Sequence, residues 1–176
     1  MQRAVFLDRD GVINRAYIRD GKPYPPCNPV ELEILPGVVQ ALKELRQAGF
    51  LLIVVTNQPD VARGKISRIE AEVINQAILN QVYVDHIYAC YHDTDDHCDC
   101  RKPNPGSLLK AAKKFDIDLS RSYMIGDRWR DVEAGFRAGC RTIFIDYGYA
   151  EKQPEAFDYR VISLKEASII ILGESL

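Results

Sequence analysis

The stretch Val5-Phe6-Leu7-Asp8-Arg9-Asp10-Gly11-Val12-Ile13-Asn14 passes from an apolar segment into two carboxylates and a glycine. Ala4 to Leu7 suits a buried parallel strand. Asp8 and Asp10 fall just beyond it, and Gly11 marks a turn. In open α/β sheets, ligands bind outside the carboxyl ends of the strands, so this acidic pair stands in a working position. An isolated Asp-x-Asp equally fits a polar turn leaving a core strand. The remainder of the chain has to decide between the two.

Moving outward, apolar runs predict further strands at Leu51–Val55, Val84–Ala89, Tyr123–Ile125 and Thr142–Ile145, with an edge strand at Arg160–Ile162. Helices are predicted between them. Pro36-Gly37 opens one whose inward stripe is Val38, Val39, Leu42 and Leu45, with Gly49 as its stop. Ser67-Arg68-Ile69-Glu70 is a capping box that starts a helix with Val73, Ile74, Ala77 and Ile78 inward. Others run from about Pro105 to Phe115 (Leu108, Leu109 and Ala112 inward), from Arg130 to Ala138, and from Leu164 to Leu172. Arg15 to Leu35, rich in proline, is expected to be a long irregular connection, and such connections are usually functional. Strands alternating with helices imply a mostly parallel sheet covered on both faces. With no repeat or linker, residues 1–176 are expected to form one domain.

The chain has 23 Lys+Arg against 25 Asp+Glu and a net charge of -2, which gives no electrostatic case for nucleic acid. No apolar run approaches the ~20 residues of a membrane span, and nothing resembles a secretory signal. The expectations are a reducing cytoplasm and a monomer. Of five cysteines, Cys90, Cys98 and Cys100 crowd into one loop, a pattern closer to metal chemistry than to disulfides. Cys27 and Cys140 stand apart.

The opening stretch resembles the nucleophile motif of the haloacid dehalogenase (HAD) superfamily, Asp-x-Asp-Gly closing an apolar strand. Thr56, Lys102 and Asp127 match the other three motifs, in order and across nearly the whole chain. The resemblance implies a Rossmann-like three-layer α/β fold without room for a cap domain. It also implies that Asp8 attacks a phosphate to form an aspartyl-phosphate. Asp10 would protonate the leaving group and then take a proton from the hydrolytic water. Thr56 would hydrogen-bond the phosphoryl group, and Lys102 would neutralise it and orient Asp8. Asp8, the main-chain carbonyl of Asp10, and Asp127 would offer hard oxygen ligands to Mg²⁺. Asp131 reads either as support for that site or as a first-turn acid favoured by the helix dipole.

Cys90, His92, Cys98 and Cys100 form a Cys₃His set suited to tetrahedral Zn²⁺, with His97 a competing ligand by composition. The run Cys-x-His…Cys-Asp-Cys-Arg-Lys-Pro resembles the zinc loop of bacterial D-glycero-D-manno-heptose 1,7-bisphosphate phosphatases, and favours His92. Thr56-Asn57-Gln58 with Ala62-Arg63-Gly64-Lys65 resembles the second motif of that family. The resemblance implies a structural zinc over residues 90–100, a phosphorylated sugar as substrate, and removal of its C7 phosphate in nucleotide-activated heptose synthesis. Asn57, Gln58, Arg101 and Arg128 are the implied substrate contacts. The chain departs from the pattern in Arg-Ala-Tyr-Ile after Asn14, in Pro59-Asp60, in Arg128 where Lys is frequent, and in a shorter zinc loop. Two rival readings stand beside it: a histidinol-phosphate or other small-molecule phosphatase of the same branch, and a zinc-stabilised binding module with a relic site.

Overall fold

The computed structural model describes residues 1–174. Its centre is a six-stranded sheet built from β1 (Arg3–Leu7), β4 (Phe50–Asn57), β5 (His86–Cys90), β6 (Tyr123–Gly126), β7 (Arg141–Ile145) and β8 (Tyr159–Val161). The order is β5-β4-β1-β6-β7-β8 and every neighbouring pair is parallel. Strands buried on both faces need continuous apolar runs, and those runs are what the sequence supplies.

Alternate residues of the strands serve two cores. On one face Val5, Leu7, Leu52, Val54, Ile125 and Ile143 pack against α1 (Val38–Gln47) and α5 (Leu164–Glu174). On the other, Phe6, Ile53, Val55 and Met124 meet α3 (Gly106–Phe115) and α4 (Trp129–Ala138). The expected layers, parallel sheet and edge strand are all present. α2 (Arg68–Leu79) starts on the expected capping box, with Ser67 and Glu70 bonded reciprocally.

Several local expectations are corrected. Val39, Val73 and Leu109 are exposed; Ala41, Ala71 and Ala111 take the inward positions beside the larger residues. Small alanines let a helix lie close to the sheet, and size alone misled the choice of stripe. The third strand runs His86–Cys90 rather than Val84–Ala89. Residues 15–35 are less irregular than expected: β2 (Tyr17–Arg19) and β3 (Lys22–Tyr24) form an antiparallel hairpin, followed by a 3₁₀ turn at Pro29–Glu31.

The position of the site follows from the topology. β1 lies between β4 and β6, with Leu7 paired to Val54 on one side and Ile125 on the other. The residues that leave these three strands therefore meet at one edge. Cys90 pairs with Asn57 at the neighbouring strand end, which brings the cysteine loop to the same edge.

Candidate active site

Asp8, Thr56, Lys102 and Asp127, far apart in sequence, are buried together at the carboxyl edge. Lys102 is 2% exposed. Its Nζ donates to Asp8 Oδ1 at 2.8 Å and to the Val55 carbonyl at 2.6 Å, and lies 2.6 Å from Asp131 Oδ1. All three protons of the ammonium are thus engaged. Asn57 fixes the Lys102 backbone, accepting from its N–H and donating to its carbonyl, each at 3.0 Å. Asp131 touches both the site and the helix start: one oxygen meets Lys102, and the other accepts from the Arg128 N–H at the start of α4.

Asp10 faces a different set of groups. Arg9, fully buried, contacts it through Nε and Nη2 at 3.2 Å and donates to Asn75 of α2 at 2.8 Å. Asn14 and Gln58 complete the grip at 3.0 and 2.8 Å. Gln58, an expected substrate contact, is buried and also donates to Thr56 Oγ1 at 2.9 Å. That bond occupies a lone pair of the Thr56 hydroxyl and leaves its proton free for the pocket.

Asp127 differs from the other acids. Tyr149 donates to its Oδ2 at 2.8 Å, while Oδ1 is buried without a hydrogen-bond partner. It packs over Gly11, whose φ is +89°; a Cβ there would lie 1.9 Å from Asp127 Oδ2. Here glycine is required both by conformation and by space. Tyr147 of the same segment donates to the Gly11 carbonyl at 3.0 Å.

The charges at this edge do not balance. Arg9 serves Asp10, Lys102 serves Asp8 and Asp131, and Asp127 has only a phenol. Burial, then the Asp131 charge, raises the Asp8 carboxyl to about 6 despite Lys102. Burial pushes Asp127 well above the carboxylate range, with Asp8 and Asp131 adding to the effect. Burial works against the Lys102 charge, but Asp131 and Asp8 outweigh it and the ammonium is held more firmly. Carboxylate oxygens of Asp8, Asp127 and Asp131 lie within 4.8 Å of one another. Crowded hard oxygens, one of them orphaned, fit a divalent cation such as Mg²⁺.

Beside this edge, Cys90, His92, Cys98 and Cys100 converge. Cys100 Sγ lies 3.1 Å from Cys90 Sγ and 3.4 Å from Cys98 Sγ, and His92 Nδ1 is 3.3 Å from Cys100 Sγ. These separations are far too long for a disulfide. They approach the edge of a tetrahedron with ~2.3 Å metal–sulfur bonds. Among the described residues, His92 and not His97 belongs to the cluster. Arg101, 8% exposed, donates to the His92 carbonyl at 3.2 Å, so the cysteine loop holds the Arg101-Lys102 pair.

The pocket has a volume of about 360 Å³, with Asp8, Thr56 and Lys102 at its base. Lys22, Pro23 and Tyr24 of the hairpin form one wall, and Arg101, Arg128 and Arg130 line it too. Sequence reading did not find Arg9, Asn75, Tyr149 or the hairpin wall. A charged residue flanked by two acids was the one available signal for Arg9; Asn75 and Tyr149 carry none, because their partners are remote in sequence.

Residues 27–139 match the model of the haloacid dehalogenase-like hydrolases. The chain belongs to that family. A D-glycero-beta-D-manno-heptose-1,7-bisphosphate 7-phosphatase of Escherichia coli K12 is 37% identical over 153 residues, covering 79% of this chain and 76% of its own. The Pasteurella multocida enzyme of the same name is 36% identical, covering 98% of each chain. In structure, the HAD-family chain is similar to the D,D-heptose 1,7-bisphosphate phosphatase of Bordetella bronchiseptica complexed with magnesium and phosphate. The TM-score is 0.83 and the identity 31%, over 98% of this chain and 99% of the other. Among the described residues, no helix of this HAD-family chain is long and apolar enough to cross a membrane.

Proposed function

We propose that this chain is a Mg²⁺-dependent phosphomonoesterase that removes the C7 phosphate of D-glycero-D-manno-heptose 1,7-bisphosphate. The observation that carries the reading is the junction of Asp8, Lys102 and the partnerless Asp127 oxygen beneath a basic pocket. The similarity to heptose bisphosphate phosphatases over nearly the whole chain supports the sugar.

Asp8 attacks phosphorus, and the bond to the sugar oxygen breaks as the aspartyl-phosphate forms. Lys102 keeps the attacking carboxylate aimed, and the Thr56 hydroxyl donates to a phosphoryl oxygen. Asp10 gives its proton to the departing sugar oxygen, then accepts one from the water that attacks phosphorus and releases Asp8. Arg9, Asn14 and Gln58 fix its position for both transfers. Mg²⁺ held by Asp8, Asp127 and the main-chain carbonyl of Asp10 would offset the repulsion between carboxylate and phosphate. Cys90, His92, Cys98 and Cys100 would hold a structural Zn²⁺, since four protein ligands leave no open position. The protein is read as a monomer acting in the cytoplasm.

The test is phosphate release from heptose 1,7-bisphosphate, histidinol phosphate, sugar monophosphates and an aryl phosphate. The heptose bisphosphate is expected to give the highest kcat/KM, and Asp8→Asn to abolish turnover of every substrate. A preference for histidinol phosphate would overturn the choice of sugar. An Asp8→Asn variant within tenfold of the parent would overturn the nucleophile.

A further inference from the structure

Arg9 stands between Asp8 and Asp10 in sequence, but its side chain reaches away from the pocket to α2. Its carbonyl accepts from the N–H groups of Val12, Ile13 and Asn14, so the turn that carries Asp10 closes on Arg9. The guanidinium is fully buried. Nε and Nη2 contact the Asp10 carboxylate at 3.1 to 3.2 Å, and among the described residues Asp10 is its one ion-pair partner. The third nitrogen, Nη1, donates to Asn75 Oδ1 at 2.8 Å. A buried cation is costly unless its protons find acceptors, so Arg9 settles where Asp10 and Asn75 are both in reach.

Asn75 is itself out of place in its helix. The other buried positions of α2, Ala71, Ile74 and Ile78, are apolar, whereas Asn75 is an amide that is 4% exposed. The amide can face only one way. A guanidinium offers protons alone and a carboxylate lone pairs alone, so Oδ1 turns to Arg9 and Nδ2 to Glu72 Oε2, 3.4 Å away. Glu72 accepts in turn from the Tyr91 hydroxyl, just beyond β5, at 2.5 Å. Neither Arg9 nor Asn75 lines the pocket, but Asp10 does.

We propose that Asn75 is a positioning residue for proton transfer: it locks Arg9, and Arg9 aims the Asp10 carboxyl at the departing sugar oxygen. The assignment rests on the phosphatase reading and adds to it a residue of α2 outside the pocket. Proton transfer depends steeply on placement, and a shift of about 1 Å from a remote substitution can cost on the order of a hundredfold. The loss stays within the roughly 10²–10⁴-fold that a general acid contributes.

The test compares kcat/KM on two leaving groups for the parent, Asn75→Leu and Asn75→Asp. The fastest alkyl phosphate among heptose 1,7-bisphosphate, histidinol phosphate and sugar monophosphates is set against p-nitrophenyl phosphate. Because kcat/KM covers the steps up to departure of the leaving group, it isolates the acid half of the cycle, and only the alkoxide needs the proton. Asn75→Leu, close in volume but without the acceptor, is expected to lower the alkyl value about ten- to a hundredfold and the aryl value by about threefold or less. Asn75→Asp keeps an acceptor at the same place and should restore most of the alkyl value. In an Asp10→Asn background, Asn75→Leu should leave the alkyl-to-aryl ratio where Asp10→Asn put it, because residues that act as a unit are not additive. Should Asn75→Leu not fold, Asn75→Ala reads the same ratio. Equal losses on both leaving groups, or additivity with Asp10→Asn, would return Asn75 to a packing role and overturn the inference alone. A parent that hydrolyses no alkyl phosphate would overturn the phosphatase reading and take the inference with it.

Discussion

Tyr149 donates its phenolic hydrogen to Asp127 Oδ2 at 2.8 Å, and the other oxygen of the same carboxylate is buried without a partner. The bond fixes which way the carboxylate faces. Tyr149 is itself anchored: its neighbours bond the Gly11 carbonyl, the Gly21 carbonyl of the hairpin turn, and Arg128. Groups that orient a metal-ligating carboxylate commonly contribute 10–100-fold in affinity. Tyr149→Phe is therefore expected to weaken divalent-cation binding about tenfold or more. Titration with Mn²⁺ followed by electron paramagnetic resonance measures this without turnover. Unchanged Mn²⁺ affinity would remove Tyr149 from the role.

Asp10→Asn separates the two halves of the proton traffic. An alkoxide needs a proton to leave, whereas an aryl oxide leaves readily without one. The variant should slow sugar phosphates by about 10²–10⁴-fold, the usual range for general acid catalysis, and aryl phosphates much less. Equal losses would deny Asp10 the acid role.

Zinc should persist when Mg²⁺ is stripped by a weak chelator, because thiolates and carboxylates favour different metals. Elemental analysis should then find about one zinc per chain. Cys98→Ser should lose the zinc and lower the melting temperature, with activity falling as Arg101 and Lys102 lose their support. A zinc-free protein with full stability would end this assignment.

Lys102 and Arg101, adjacent in sequence, should fail differently. Lys102→Ala leaves Asp8 and Asp131 buried without their cation, a loss on the order of 3–5 kcal/mol in comparable buried pairs. Chemical denaturation should register it, and turnover should fall on every substrate. Arg101→Ala should fall about ten- to a hundredfold further on the bisphosphate than on an aryl phosphate, because its contact is remote from the reacting atoms. Parallel losses for Arg101→Ala would contradict this.

Three parts of the catalytic edge, Asp8, Thr56 and Asp127, close apolar strands, whereas Lys102 sits in a loop and was legible only through the order of the motifs. Asp8 follows Leu7, Thr56 follows Val55, and Asp127 follows Gly126, so apolar runs located the strands and the resemblance to the family motifs singled out the groups at their ends. The cysteines were legible by their crowding in one loop, and the resemblance to a zinc loop added His92 to them. What sequence reading missed depended on packing. Val39, Val73 and Leu109 looked inward by hydrophobicity, but the helices turned their alanines to the sheet. The hairpin at 17–24 was hidden by its short strands and by Pro23, which reads as loop chemistry. Gln58 sits in a motif that resembles substrate contacts, yet its amide is committed to Asp10 and Thr56. Such commitments arise only once the strands are side by side.

The central place of β1 has a consequence for how the protein is made. The strand that brings Asp8 is made before its partner β6, and the hydrogen bond from the Ala4 N–H to Ser122 spans 118 residues. Until β6 leaves the ribosome, one long flank of β1 has nothing to pair with, and Asp8 lacks Asp127. A nascent chain therefore carries an apolar strand paired on one side at most until then, with Asp8 and Asp127 still apart. The carboxyl edge is assembled only when the middle of the sheet closes. Distant pairings of this kind slow folding, so the interval before closure is when the chain most needs protection from aggregation.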